Sequence, residues 1–71
     1  METAPVIRLA NDIAAQFGHL APDVAAKAIA DHITMFWEPR MRAELTQLAH
    51  HPDSGLERPA RDAADLLMSQ A

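Results

Sequence analysis

The stretch Asp31-His32-Ile33-Thr34-Met35-Phe36-Trp37-Glu38-Pro39-Arg40-Met41-Arg42 holds the end of one helix, a forced stop and the start of another. Upstream, Ala25, Ile29, His32, Ile33 and Phe36 share one face at about 100° per residue, which predicts a helix beginning at Pro22. That helix is expected to end just before Pro39, because a proline crowds the helical conformation of the residue ahead of it. The same proline suits the first turn of a new helix, where a missing N–H costs nothing. Met41, Leu45, Leu48 and Ala49 give that next helix its apolar face. The joint at Trp37-Glu38-Pro39 is therefore tight.

Working outward, Val6, Leu9, Ala10, Ile13 and Phe17 form a narrow stripe on a helix from about Pro5 to Phe17, with Gly18 at its exit. Downstream, His50-His51-Pro52-Asp53-Ser54-Gly55 has the residue types that favour turns and predicts a loop. A last helix starts near Leu56 or Pro59 and turns Ala60, Ala63, Ala64 and Leu67 inward. Strand signals are sparse: no stretch alternates cleanly with period two, and Tyr is absent. The expected fold is all-α, a small bundle of about four short helices forming a single domain over 1–71.

A chain of 71 residues has little core to work with. Apolar residues make up 49% of it, but fifteen of them are Ala. Domains of this size rarely gain more than about 3–5 kcal/mol from one core and usually add a disulfide, a metal or a partner. With no cysteine, disulfides and thiolate metal sites are excluded, which leaves a partner chain. The net charge of −4 argues against general nucleic-acid affinity. No apolar run approaches the roughly 20 residues of a membrane span. The opening Met1-Glu2-Thr3-Ala4-Pro5 lacks a basic segment leading into an apolar one, so no export signal is expected and a cytoplasmic location is the default.

Catalytic chemistry finds few candidates. His50 and His51 are adjacent, with Asp53 close by, but no second cluster completes a tetrahedral zinc site, so they read as solvated loop side chains. His32 reads either as a hydrogen-bonded core histidine or as one that reaches a partner's polar group. His19, after Gly18, can meet the free carbonyls of a helix end. Ser54, Ser69, Thr3, Thr34 and Thr46 stand in no glycine-rich elbow and beside no evident base. Gly18 and Gly55 are the only glycines, too few for a phosphate-cradling loop. No catalytic, cofactor-binding or metal-ligating residue is assigned.

The joint itself is the candidate binding site. It holds two of the three aromatics, half of the methionines and two of the five arginines. Trp and Arg are enriched at binding hot spots, where a flat ring fills a pocket and a guanidinium forks onto oxygen acceptors. The expected partner-binding residues are Asp31, His32, Phe36, Trp37, Pro39, Arg40, Met41 and Arg42. Trp37 is cast as the anchor and Arg40 as a bidentate donor. Arg42 and Asp31 are polar partners, while Phe36, Ile33 and His32 hold the joint in shape. The competing reading is that Trp37, in line with Ala26, Ala30 and Ile33, caps the chain's own core while the arginines lie along the surface. Ile7, Met35, Leu66 and Met68 fall off every assigned face, which favours a partner.

Asp31-His32-Ile33 followed by Phe36-Trp37-Glu38-Pro39-Arg40-Met41-Arg42 resembles the signature of the delta subunit of NAD-dependent, molybdenum-containing formate dehydrogenases, D-H-I, two variable residues, then F-W-D/E-P-R-M. Leu9-Ala10-Asn11-Asp12-Ile13-Ala14-Ala15-Gln16-Phe17 is similar to that family's opening, L/M-A-N-Q-I-x-x-F-F. Asp12 replaces the usual amide, and Gln16 stands where an aromatic is common. Leu56-Glu57-Arg58-Pro59, with Ala64 and Leu67, is similar to its closing helix, so the resemblance spans nearly the whole chain.

The resemblance implies a non-catalytic accessory subunit of a cytoplasmic complex that oxidises formate to carbon dioxide and reduces NAD. It implies a large alpha subunit with molybdopterin guanine dinucleotide and iron–sulfur clusters. Beta and gamma subunits are implied to carry FMN, the NAD site and further clusters. Docking on the alpha subunit in support of assembly or stability is the leading expectation. A transient maturation chaperone for the same subunit is the first alternative. A small helix-turn-helix nucleic-acid binder is the weaker one, opposed by the acidic balance.

Overall fold

The computed structural model describes residues 4–51 and 53–69. Pro52 of the expected loop, and Met1, Glu2 and Thr3 of the opening, lie outside the described residues. Four helices follow in order: α1 (Pro5–Gln16), α2 (Pro22–Phe36), α3 (Pro39–Ala49) and α4 (Arg58–Ser69). No strand occurs among the described residues. The fold is the expected all-α bundle.

Proline sets where three of the helices begin. Pro5, Pro22 and Pro39 each stand in the first turn, and the residue before each is extended: Ala4 at φ −57°, ψ 141°, Ala21 at −58°, 148° and Glu38 at −68°, 151°. The proline ring excludes the helical backbone one residue upstream and presets it downstream. At the close of α2, the Trp37 N–H donates to the Ile33 carbonyl at 2.9 Å, completing the last turn. Trp37 itself is extended at φ −91°, ψ 145°, so only two residues separate α2 from α3.

The core is built around α2 and α4, the most extensively packed pair. Ala60, Ala63 and Ala64 of α4 are fully buried, opposite a face of α2 formed by Ala25, Ala26, Ile29, Ala30 and Ile33. Alanine allows close approach of two helix axes, and the isoleucines fill the space that remains. Ala25, Ile29 and Ile33 of α2 and all four expected residues of α4 are buried where the spacing puts them.

Two faces differ from expectation. In α1 the buried residues are Val6, Ile7, Ala10, Ile13 and Ala14, whereas Leu9 is 42% exposed and Phe17 half-buried. A single narrow stripe is the wrong template, because α1 packs against α2, α3 and α4 and buries a wider arc. Ile7, off the stripe, is 1% exposed. In α2, Phe36 is 67% exposed and His32 half-buried, although both share the helical face of Ile29 and Ile33. The chain turns away at the end of this helix, and the indole of Trp37 takes the core position instead.

The connection to α4 is fastened by a side chain from α1. Asn11 donates from Nδ2 to the Gly55 carbonyl at 3.0 Å and accepts at Oδ1 from the Glu57 N–H at 2.8 Å. One carboxamide thus satisfies two backbone groups of the segment leading into α4, in the manner of a neighbouring strand. Gly55 has φ 84°, a left-handed conformation that side chains resist, and the Leu56 N–H donates to Ser54 Oγ at 3.2 Å. Leu56 then drops into the core at 7% exposure.

Ile29→Ala is expected to lower the unfolding free energy by about 2–5 kcal/mol, while Leu9→Ala changes it by less than about 1 kcal/mol. Urea titrations followed by circular dichroism would measure both. Asn11→Ala, which leaves two backbone groups to water, is expected to cost about 1–3 kcal/mol in the same titration.

Candidate functional site

The residues singled out around the joint separate into three environments. Trp37 is 8% exposed and packs within the main apolar cluster with Ile33, Leu45 and Leu56. It is a core residue of this chain, as the competing reading had it, and does not project as an anchor. Arg42 is half-buried, and its Nη1 donates to the Thr34 carbonyl at 3.0 Å. Thr34 lies in the last turn of α2, where carbonyls have no partner within the helix and the helix dipole is negative. A guanidinium brought back from α3 meets both needs. Arg42 therefore staples the joint from its far side.

Phe36 and Met35 form the second environment. They are 67% and 75% exposed, the most exposed large apolar side chains among the described residues. Phe36 stacks on His32 with ring centroids 4.7 Å apart and planes tilted by 42°. His32 is half-buried beneath the exposed phenyl ring and is not one of the core residues. Asp31, Glu38 and Arg40 are exposed around them. The burial of the two aromatics is thus the reverse of that expected, with Trp37 inside the core and Phe36 exposed.

The third environment is a pair of clefts on opposite faces of α3. The larger, about 580 Å³, is lined by Thr34, Pro39, Arg42, Ala43, Thr46, Leu67 and Met68. The smaller, about 250 Å³, is lined by Pro5, Val6, Leu9, Met41 and Glu44. Of the expected residues, Pro39 and Arg42 meet in the first cleft and Met41 enters the second. Met68, Leu9, Ala43 and Thr46 were not expected there. Met68 falls off the inward face of its helix, a signal of surface use, but only the packing shows it near Thr34. A methionine beside each cleft and another exposed at Met35 give this end of the molecule soft, adaptable contact surface.

Elsewhere the polar candidates stay apart. His19, His50, His51 and Asp53 are exposed. No group of three or more His, Asp or Glu side chains gathers to hold a metal ion among the described residues. No helix among them is long and apolar enough to cross a membrane. What the joint offers is apolar contact beside charged and hydrogen-bonding groups. Trp37→Ala is expected to cost the free chain about 3–5 kcal/mol of stability, against less than about 1 kcal/mol for Phe36→Ala. Thermal unfolding of the two variants side by side separates the core aromatic from the presented one.

Comparison with known proteins bears on what such a surface is for. A family model described as "NADH-dependant formate dehydrogenase delta subunit FdsD" matches residues 5–64, from the start of α1 into α4. No curated protein and no solved structure gives a significant match. The family match covers most of the 71 residues, and the chain belongs to this delta-subunit family.

Proposed function

We propose, from membership of this family, that the chain is a non-catalytic accessory subunit of a cytoplasmic NAD-dependent formate dehydrogenase complex, which converts formate and NAD+ to carbon dioxide and NADH. In this reading it docks on the large molybdenum-cofactor subunit and supports that subunit's assembly or stability. The observation that carries the docking is the exposure of Met35 and Phe36 side by side at the end of a helix whose two isoleucines, Ile29 and Ile33, are fully buried. Adjacent exposed apolar residues beside an arginine have the make-up of a binding hot spot. Phe36 and Met35 supply the apolar contact, and Arg40 hydrogen-bonds at its rim. Asp31 and His32 flank them, and Pro39, Met41 and Arg42 shape the clefts. Trp37 contributes by holding the joint in form.

The complex is expected to carry molybdopterin guanine dinucleotide, iron–sulfur clusters, FMN and bound NAD on its alpha, beta and gamma subunits. The residues of this chain do not fit those groups. It has no cysteine for a cluster and only two glycines, with no glycine-rich loop for a dinucleotide.

A tagged pull-down from native cytoplasm, with gel filtration and an assay of formate-dependent NAD reduction, tests the reading. Near-stoichiometric retention in an active complex is the expected result. Recovery only with inactive, cofactor-poor large subunit would replace the accessory subunit with a transient maturation chaperone using the same surface. A chain that runs alone would remove both. The Met35→Ala, Phe36→Ala double variant is expected to weaken retention by at least about 2 kcal/mol, roughly 30-fold, with an unchanged helical spectrum. Arg40→Ala is expected to act in the same direction, more strongly at low salt.

A further inference from the structure

The helix that carries the joint's arginines is the least anchored of the four. α1 buries Val6, Ile7, Ala10, Ile13 and Ala14, α2 buries a five-residue face and α4 a four-residue one, but α3 buries Leu45 alone. Met41, Leu48 and Ala49 only lean on the core. On one face of α3, Pro39, Arg42, Ala43 and Thr46 line the cleft of about 580 Å³. On the opposite face, Met41 and Glu44 line the cleft of about 250 Å³. Open space on both sides means missing contacts on both sides. Among the described residues, the one side-chain hydrogen bond linking α3 to another helix is Arg42 Nη1 to the Thr34 carbonyl.

We propose that α3 is a flap that opens from the α2–α4 pair while the rest of the chain stays folded, with Arg42 as its latch. The movement hinges at Glu38, just beyond the anchored Trp37, and at His50 and His51, just after Ala49. Local opening of this kind selects elements with few buried apolar contacts and ends free to change backbone angles. Opening exposes Leu45 and removes the wall that α3 gives to both clefts. It requires no particular partner and stands whether or not the chain docks on a dehydrogenase.

Native-state hydrogen exchange on the full chain, read residue by residue by NMR, tests it. Amides of residues 43–49 are expected to exchange at least about tenfold faster than the buried-face amides of α2 and α4, by an opening that depends weakly on denaturant. Arg42→Gln is expected to speed exchange in α3 by about three- to tenfold and leave α2 unchanged, with Arg42→Lys falling between. Equal protection in α2, α3 and α4 would overturn the flap. Faster exchange in all helices of Arg42→Gln together, or none in α3, would overturn the latch.

Discussion

Pro39 denies Glu38 a helical backbone, and much of the molecule follows from that refusal. Because α2 cannot continue, Trp37 turns out of the helix and into the core, where a longer helix would have carried it onward. The next helix starts two residues later, close enough for Arg42 to reach back to the Thr34 carbonyl. The end of α2, with its unpaired carbonyls, is thus served by the helix that the same proline begins. Phe36, the last residue before the break, is left without cover. One steric conflict places the buried aromatic, the exposed aromatic and the stapling arginine.

The remainder of the bundle makes the most of small side chains. Alanines on facing sides of α2 and α4 trade burial per residue for close approach, so Ile29, Ile33, Ile7 and Leu45 are the largest fully buried groups. Asn11 offsets part of that economy by fastening the α4 entry to α1 with two hydrogen bonds. A domain this small, with a core this light, is the kind that gains from a partner, and its least-held helix lies beside its most exposed apolar residues.

Much of this was legible in residue order. Four helices, the proline starts of the first three and the inward set Ala60, Ala63, Ala64 and Leu67 follow from periodicity and from the fixed φ of proline. The motif running from Asp31 to Arg42 also pointed to the formate dehydrogenase delta-subunit family, to which the chain belongs. These features are local: they depend on neighbours within about one turn, and no distant contact overrides them.

What only the tertiary structure decided is which apolar residues face inward where several faces compete. Ile7 is buried and Leu9 exposed because α1 meets three helices at once, a wider arc than one stripe describes. Trp37 is inside and Phe36 outside because the chain changes direction between them, and a helical wheel drawn through Phe36 has no knowledge of that turn. Asn11 reaches Gly55 and Glu57 across more than forty residues, and Thr34 meets Met68 across a cleft. Sequence by itself determined the elements and the family. Packing determined which side of each element is left exposed, since burial belongs to the assembled surfaces and not to any single helix.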